Sequence, residues 1–233
     1  MSRTILVTGA GRGLGRTLAE LLSARGDRVI AHARDEDALK GLPYAKALIA
    51  DLSRPESLAA AAEAAGIDLL DALVHNAGIA HIATVGGTEL ERWQDSLTVN
   101  LVAPAELTRL LLPALRNARG HVVFVNSGAG LVAGPKWSSY AASKHGLRAL
   151  ADSLRAEEKA AGVRVTSVFP SHFDTDMQRH VRERHDSDYD PRRATSPDSI
   201  AATIASVLDA PSDMVINELR VEPPNPLPIR PRS

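Results

Sequence analysis

Tyr140 and Lys144 stand four residues apart in Tyr140-Ala141-Ala142-Ser143-Lys144. On a helix that spacing puts both side chains on one face. A free phenol ionises at a pH of about 10. A nearby ammonium favours the phenolate, so the tyrosine can exchange a proton with a carbonyl or alcohol nearer neutrality. The same spacing also occurs in ordinary exposed helix pairs, so alone it names no chemistry. A second group of residues is Thr8-Gly9-Ala10-Gly11-Arg12-Gly13-Leu14-Gly15. It follows an apolar run and precedes a helix-like stretch. Glycines permit positive φ and close backbone approach, and a helix N-terminus presents free N–H groups, which suits a pyrophosphate. The generic G-x-G-x-x-G fingerprint does not fit, because counting from Gly9 its third glycine falls on Leu14. The alternative is a tight βα turn that merely contains extra glycines.

These groups need a scaffold. Short apolar, β-branched runs lie at 4–8, 28–33, 47–50, 72–75, 121–126, 163–169 and, more weakly, 214–221. Helix-like Ala/Leu-rich stretches lie between them, at about 13–25, 55–65, 89–116, 137–161 and 197–209. Near-continuous apolar strands alternating with helices imply a parallel sheet covered on both faces. The fold class is therefore α/β: a single-domain, Rossmann-type, doubly wound parallel sheet of about seven strands. Gly26 and Gly162 stand where two helices should stop, and Pro55 and Pro197 where two should start. The domain is expected over 1–222, followed by a Pro-rich tail over 223–233 that is either frayed or an arm on a neighbouring subunit. The polar stretch 171–196 reads as a long loop, functional or mobile.

Composition narrows the class. The chain has 233 residues, 44% of them hydrophobic, and a formal net charge of -1, which fits a globular protein with a sizeable core. Near-neutrality argues against bulk binding to nucleic acid. Without cysteine there is no disulfide, thiolate nucleophile or Cys-based zinc site. The histidines are scattered, and His180 and His185 do not align on a helix, so no metal is expected. The apolar stretch 4–7 is too short for a signal peptide or a membrane span, so no membrane contact and a cytoplasmic location are expected.

Position strengthens the first pattern. Ser127 closes the run 121–126, thirteen residues before Tyr140. Asn100 stands in Leu97-Thr98-Val99-Asn100-Leu101, and His75-Asn76-Ala77-Gly78 closes the run 72–75. With the Gly9-x-x-x-Gly13-x-Gly15 spacing, these motifs resemble the short, single-domain form of the short-chain dehydrogenase/reductase (SDR) family, over roughly residues 4–220. The resemblance implies an oxidoreductase that moves hydride between a nicotinamide and a carbonyl or secondary alcohol. Tyr140 would be the acid/base, Ser127 would orient the substrate oxygen, and Lys144 would tune Tyr140 and bond the nicotinamide ribose. The Asn100 side chain would help hold a water that links Lys144 to solvent.

It also implies a cofactor cradle. Gly9, Arg12, Gly13, Leu14 and Gly15 would take the phosphates. Asp51, followed by Leu52, would bond the adenine, although a turn or cap ahead of Pro55 is an equal reading of that acid. Asn76, Ala77 and Gly78 would lie along the adenosine side, with His75 in place of the commoner Asn. Pro170 would open the stretch that cups the nicotinamide, where Ser171 replaces the usual Gly. Phe173 would offer backbone bonds and Thr175 would help hold the cofactor. NAD-specific relatives place an acid at the position of Ala33. Here Arg34 follows, and Arg12 faces it from the turn, a pair suited to a 2′-phosphate, so NADP(H) is favoured over NAD(H). Asp35 is the competing feature, since a one-residue shift would bring it to the ribose. The substrate pocket is expected near Ser127, His81, Ile82, Leu131, Trp137 and His172. By the same resemblance a homodimer or homotetramer would form through 89–116 and 137–161. Other readings are epimerase or dehydratase chemistry, which would be expected with an added C-terminal substrate domain, and an NADP-binding sensor without turnover.

Overall fold

The computed structural model describes residues 2–174, 176–184 and 187–226. Strands β1 (Thr4–Val7), β2 (Arg28–Ala33), β3 (Lys46–Ile49), β4 (Ala72–His75), β5 (His121–Val125), β6 (Arg164–Pro170) and β7 (Glu218–Val221) form one sheet in the order β3-β2-β1-β4-β5-β6-β7. Every pairing is parallel. The strand order reverses at β1 and β4, so a crevice opens at their C-terminal ends.

Helices α1 (Gly13–Ala24), α2 (Leu58–Ala65), α3 (Leu90–Leu97), α4 (Ala103–Ala118), α5 (Ser138–Glu157), α6 (Asp176–Arg184) and α7 (Pro197–Leu208) cover both faces. Alternation along β1 shows why two cores exist. Ile5 and Val7 pack with Leu14, Leu18 and Leu22 of α1 and Ile200 and Ile204 of α7. Leu6 points the other way, into a core with Leu107 and Leu111 of α4, Phe124 of β5 and Leu147 of α5. Each such side chain withdrawn from water stabilises the fold by about 1.5–3 kcal/mol.

The helix boundaries follow local chemistry. Gly26, at φ +85°, ends the turn after α1, and Gly162, at φ +76°, ends the one after α5. Ser196 caps α7 by accepting from the Ser199 N–H at 3.1 Å, with Pro197 as the first helical residue. Pro55 opens a short 3₁₀ turn that leads into α2.

Two expectations change. The stretch 89–116 is not one helix, because a single π-helical turn, Thr98–Val102, separates α3 from α4. The stretch 171–196 is not simply a loop: it contains α6 and a 3₁₀ turn at Pro191–Arg193. Helix α6 has no broad apolar stripe. It rests on buried Val181, and its last turn carries Arg182 and Arg184, which suit the negative end of the helix dipole. Beyond β7, Arg193 donates to the Asn225 carbonyl at 3.1 Å and the Pro226 carbonyl at 3.2 Å. Among the described residues no helix is long and apolar enough to cross a membrane.

Candidate active site

The candidate residues converge on one edge of the sheet, on the segments that leave the C-terminal ends of the strands and on the helical residues Asn100, Tyr140 and Lys144 packed against them. After β1 the chain turns at Gly9, with φ +69°. A Cβ there would lie 3.1 Å from Ala77 Cα, and one on Gly15 would lie only 2.2 Å from the Gly9 carbonyl oxygen. These glycines let the β1 turn, the start of α1 and the β4 end approach one another. Gly13, with φ +52°, faces open space instead. Arg12 precedes α1 in extended conformation and makes no side-chain cap, so the N-terminal N–H groups of this helix remain for a ligand. Thr8 fixes the facing segment. Its Oγ1 accepts from the N–H groups of Asn76 at 2.9 Å and Ala77 at 3.0 Å, and the Asn76 amide donates to its carbonyl at 2.9 Å. A close-packed glycine corner beside an open, uncapped helix N-terminus fits the phosphates of a dinucleotide.

The charged residues sort themselves by partner. Arg12 and Arg34 are exposed. Asp35 turns back on its own chain, with Oδ1 accepting from the Ala38 N–H at 2.8 Å. Asp51 likewise accepts from the Ser53 N–H at 2.9 Å, which chiefly holds its carboxyl below the usual range. Leu52, beside it, is buried.

The second cluster forms where β5 ends against α5. Ser127 is extended, and its Oγ accepts from the Ala129 N–H at 3.2 Å. Tyr140 is buried, and burial pushes its phenol up while neighbouring Ser127 acts the other way. Lys144 Nζ donates to the Val125 carbonyl at 3.0 Å and lies 5.8 Å from the Tyr140 ring centre. Burial lowers Lys144 to about 8. Burial is thus the larger influence on both groups, raising the phenol and lowering the ammonium.

Asn100 sits in the π turn, a helical irregularity common at functional sites. Its Oδ1 accepts from the Ile79 N–H at 2.9 Å, and its amide donates to the Ile79 carbonyl at 2.9 Å and to Ser143 Oγ at 3.0 Å. Both amide hydrogens are therefore engaged by protein. The side chain is thus no donor to the expected water, while Oδ1 keeps a second lone pair to accept from one. Ser143 in turn donates to the Tyr140 carbonyl at 2.7 Å.

A cavity of about 270 Å³ opens in front of Ser127 and Tyr140, walled by Trp137, Val181, His172 and Phe173. Pro170 and Ser171 form its floor. The left-handed residue here is His172, at φ +47°, not Ser171, which takes the place of the family's glycine. Burial and nearby Arg182 hold the His172 imidazole below its ordinary range, and Ser171 Oγ lies 3.1 Å from its Nδ1. Thr195 donates to the His172 carbonyl and accepts from the Asp174 N–H, each at 2.9 Å. That parallel bridge leaves the N–H and C=O of Phe173 directed to the opposite side. His81, Ile82 and Leu131 do not line this cavity, whereas Ala80 and Val132 do. His81 is drawn away towards α3, with Nε2 3.6 Å from the Asp95 carboxylate. Thr175 and His185 lie outside the described residues, as does the His180 side chain.

Sequence reasoning missed four supports: Thr8, His32, Asn126 and Ser143. Asn126 donates to the Lys144 carbonyl at 3.1 Å and accepts from the Ser127 N–H at 2.9 Å, so it joins both catalytic candidates. A polar residue closing a buried strand was the available signal.

A doubly wound parallel sheet with a phosphate-type turn after its first strand, and a Ser/Tyr/Lys cluster at the same edge, defines a dinucleotide-binding oxidoreductase site. The short chain dehydrogenase family model matches residues 3–186. The chain belongs to the short-chain dehydrogenase/reductase family of oxidoreductases. It is 32% identical to mouse dehydrogenase/reductase SDR family member 7B over 74% of this chain and 58% of that protein, so the match spans little more than half of that relative. It is also 32% identical to the 3-oxoacyl-[acyl-carrier-protein] reductase of Escherichia coli, over 76% of each chain. A metagenomic short-chain oxidoreductase solved in complex with NADP superposes with a TM-score of 0.80 at 31% identity, over 96% of this chain and 98% of that one.

Proposed function

We propose that this chain transfers hydride between NADP(H) and the carbonyl or secondary-alcohol carbon of a small molecule, with carbonyl reduction as the cellular direction. The observation that carries this reading is that Ser127 and Tyr140 line one cavity whose wall includes Phe173, with the buried Lys144 held beside the Tyr140 ring. Tyr140 gives or takes the proton at the substrate oxygen. Ser127 hydrogen-bonds that oxygen and stabilises charge developing on it. Lys144, held by Val125, sits beside Gly78, and would bond the nicotinamide ribose when the cofactor is bound. Asn100 positions Ile79 and Ser143, and through Ser143 the Tyr140 backbone.

The nicotinamide, when bound, supplies or accepts the hydride. Gly9, Arg12, Gly13, Leu14 and Gly15 would hold its phosphates. Asp51 and Leu52 would take the adenine, and Asn76, Ala77 and Gly78 the adenosine side. Pro170 would floor the nicotinamide, and Phe173 would offer it an unused backbone edge. Arg34 with Arg12 favours NADP(H), because both are exposed at the turn while Asp35 is engaged with Ala38. A cytoplasmic enzyme, homodimeric or homotetrameric through 89–116 (α3 and α4) and 137–161 (α5), completes the reading, and light scattering tests the assembly.

The test is titration with NADPH and NADH, then a ketone and alcohol panel followed by cofactor absorbance. NADPH should bind more tightly, and Tyr140→Phe should lose roughly 10³-fold in kcat while still binding cofactor. Full turnover by that variant would sink the mechanism.

A further inference from the structure

His32 is buried in the middle of the cofactor half, at 2% exposure, and the mechanism above does not use it. It lies on β2, one residue before Ala33 and two before Arg34. Its Nδ1 accepts from the Gly9 N–H at 3.1 Å, and its Nε2 lies 3.2 Å from the Ala50 carbonyl. Its own carbonyl accepts from the Ala10 N–H at 2.9 Å. The partners fix the protonation. A backbone N–H can only donate and a carbonyl can only accept, so Nδ1 is bare and Nε2 carries the proton. One neutral ring thus ties the glycine turn after β1 to the end of β3, next to Asp51.

Gly9 is the corner of that turn. Its carbonyl lies against Gly15, and its α-carbon region lies against Ala77. Any rotation of the Gly9 peptide moves the start of α1 relative to the β4 end. We propose that His32 is a positioning residue for the dinucleotide, holding the phosphate turn in register with the adenine side of the cradle through its imidazole. The inference rests on the cofactor reading above.

Three variants separate its two bonds. His32→Asn keeps an acceptor at the Nδ1 position for Gly9. His32→Gln reaches towards Ala50 as Nε2 does but offers nothing to Gly9. His32→Leu offers neither. NADPH dissociation constants by fluorescence titration, and kcat and cofactor KM with a carbonyl that the parent enzyme reduces, are the readouts. His32→Leu and His32→Gln should weaken NADPH roughly tenfold, the loss of one buried hydrogen bond. His32→Asn should stay within about threefold of the parent, and kcat at saturating cofactor should change little in all three, because a single lost bond acts on the step that makes it. Equal weakening by Asn and Gln, or a loss confined to kcat, overturns the proposal. If His32→Leu does not fold, the Asn/Gln pair still decides. A parent chain that binds neither NADPH nor NADH overturns the cofactor reading and this inference together, whereas parent binding with three indistinguishable variants overturns this inference alone.

Discussion

The turn between β1 and α1 and the segment between β6 and α7 border the same edge of the sheet, yet they are built by different means. The first is made of backbone. It is short, its left-handed residues Gly9 and Gly13 are glycines, and its close contacts would be blocked by a single Cβ. The second is made of side chains. Asp174 accepts from Arg179 at 2.9 Å and from the Tyr189 hydroxyl, and Lys136 reaches across to the Arg184 carbonyl at 3.2 Å. Its left-handed residue is His172. A site made of backbone tolerates few sequences and writes itself into glycine spacing. A site made of long polar side chains can be assembled in many ways and leaves no fixed pattern.

Acid should separate the two regions most strongly. His32, His75 and His121 are buried in β2, β4 and β5, and burial lowers them to about 4, 3 and 3. Their unfolded values lie near 6.5. The folded state therefore binds fewer protons than the unfolded one between those limits. The stability they allow is fully present above about pH 6.5 and is lost as pH falls towards their folded values, each costing up to about 1.4 kcal/mol per pH unit. Urea midpoints at pH 7, 6 and 5 should fall steadily, and a flat profile would contradict the buried neutral rings. His172, partly open in the other segment, should contribute much less.

Gly15→Ala comes next. Its Cβ would meet the Gly9 oxygen at 2.2 Å and Asn76 Nδ2 at 2.5 Å, so the turn must shift. A loss of about 3 kcal/mol in stability, with cofactor binding abolished, is expected from denaturation and titration. Gly13→Ala meets nothing, so it should cost only the roughly 1–2 kcal/mol of a left-handed alanine. Equal losses at the two glycines would erase the distinction between packing and conformation in this turn.

Smaller effects test cofactor choice. Arg34→Ala should weaken NADPH about tenfold and leave NADH unchanged, since one charge-assisted bond to the extra phosphate is removed. Asp35→Ala should be the mildest change. It removes a cap on Ala38, costs about 0.5–1 kcal/mol of stability and leaves both cofactors alone. Weaker NADH binding by that variant would show that Asp35 reaches the ribose after all.

Much of the fold was legible in the chain. Apolar runs alternating with Ala/Leu-rich stretches are enough to specify a parallel sheet buried on both faces, and Gly26 and Pro197 mark real helix ends, whereas α5 stops at Glu157, before Gly162. The π turn around Asn100 was not legible, because helical propensity carries no sign of one extra residue in a turn whose partner is the distant Ile79. Helix α6 was not legible either, since its charged sequence has no broad apolar stripe, and among its described side chains Val181 and Arg182 are the buried ones. His81 illustrates the limit at the pocket: its place in the chain pointed to the cavity, but its Nε2 lies 3.6 Å from the Asp95 carboxylate on α3.

By itself, then, the sequence determined the fold class, the phosphate-type turn and the i, i+4 pair Tyr140 and Lys144, because each is encoded by neighbours within a few residues. Tertiary structure decided what those residues experience. Burial sets Tyr140 above and Lys144 below their ordinary values, Asn100 is engaged by Ile79 and Ser143, and His32 joins Gly9 to Ala50. These partners lie 18 or more residues apart in the chain, at Ala50, and up to 43 apart, at Ser143. Desolvation and hydrogen bonding depend on which surfaces meet, and only the packed sheet and its helices settle that.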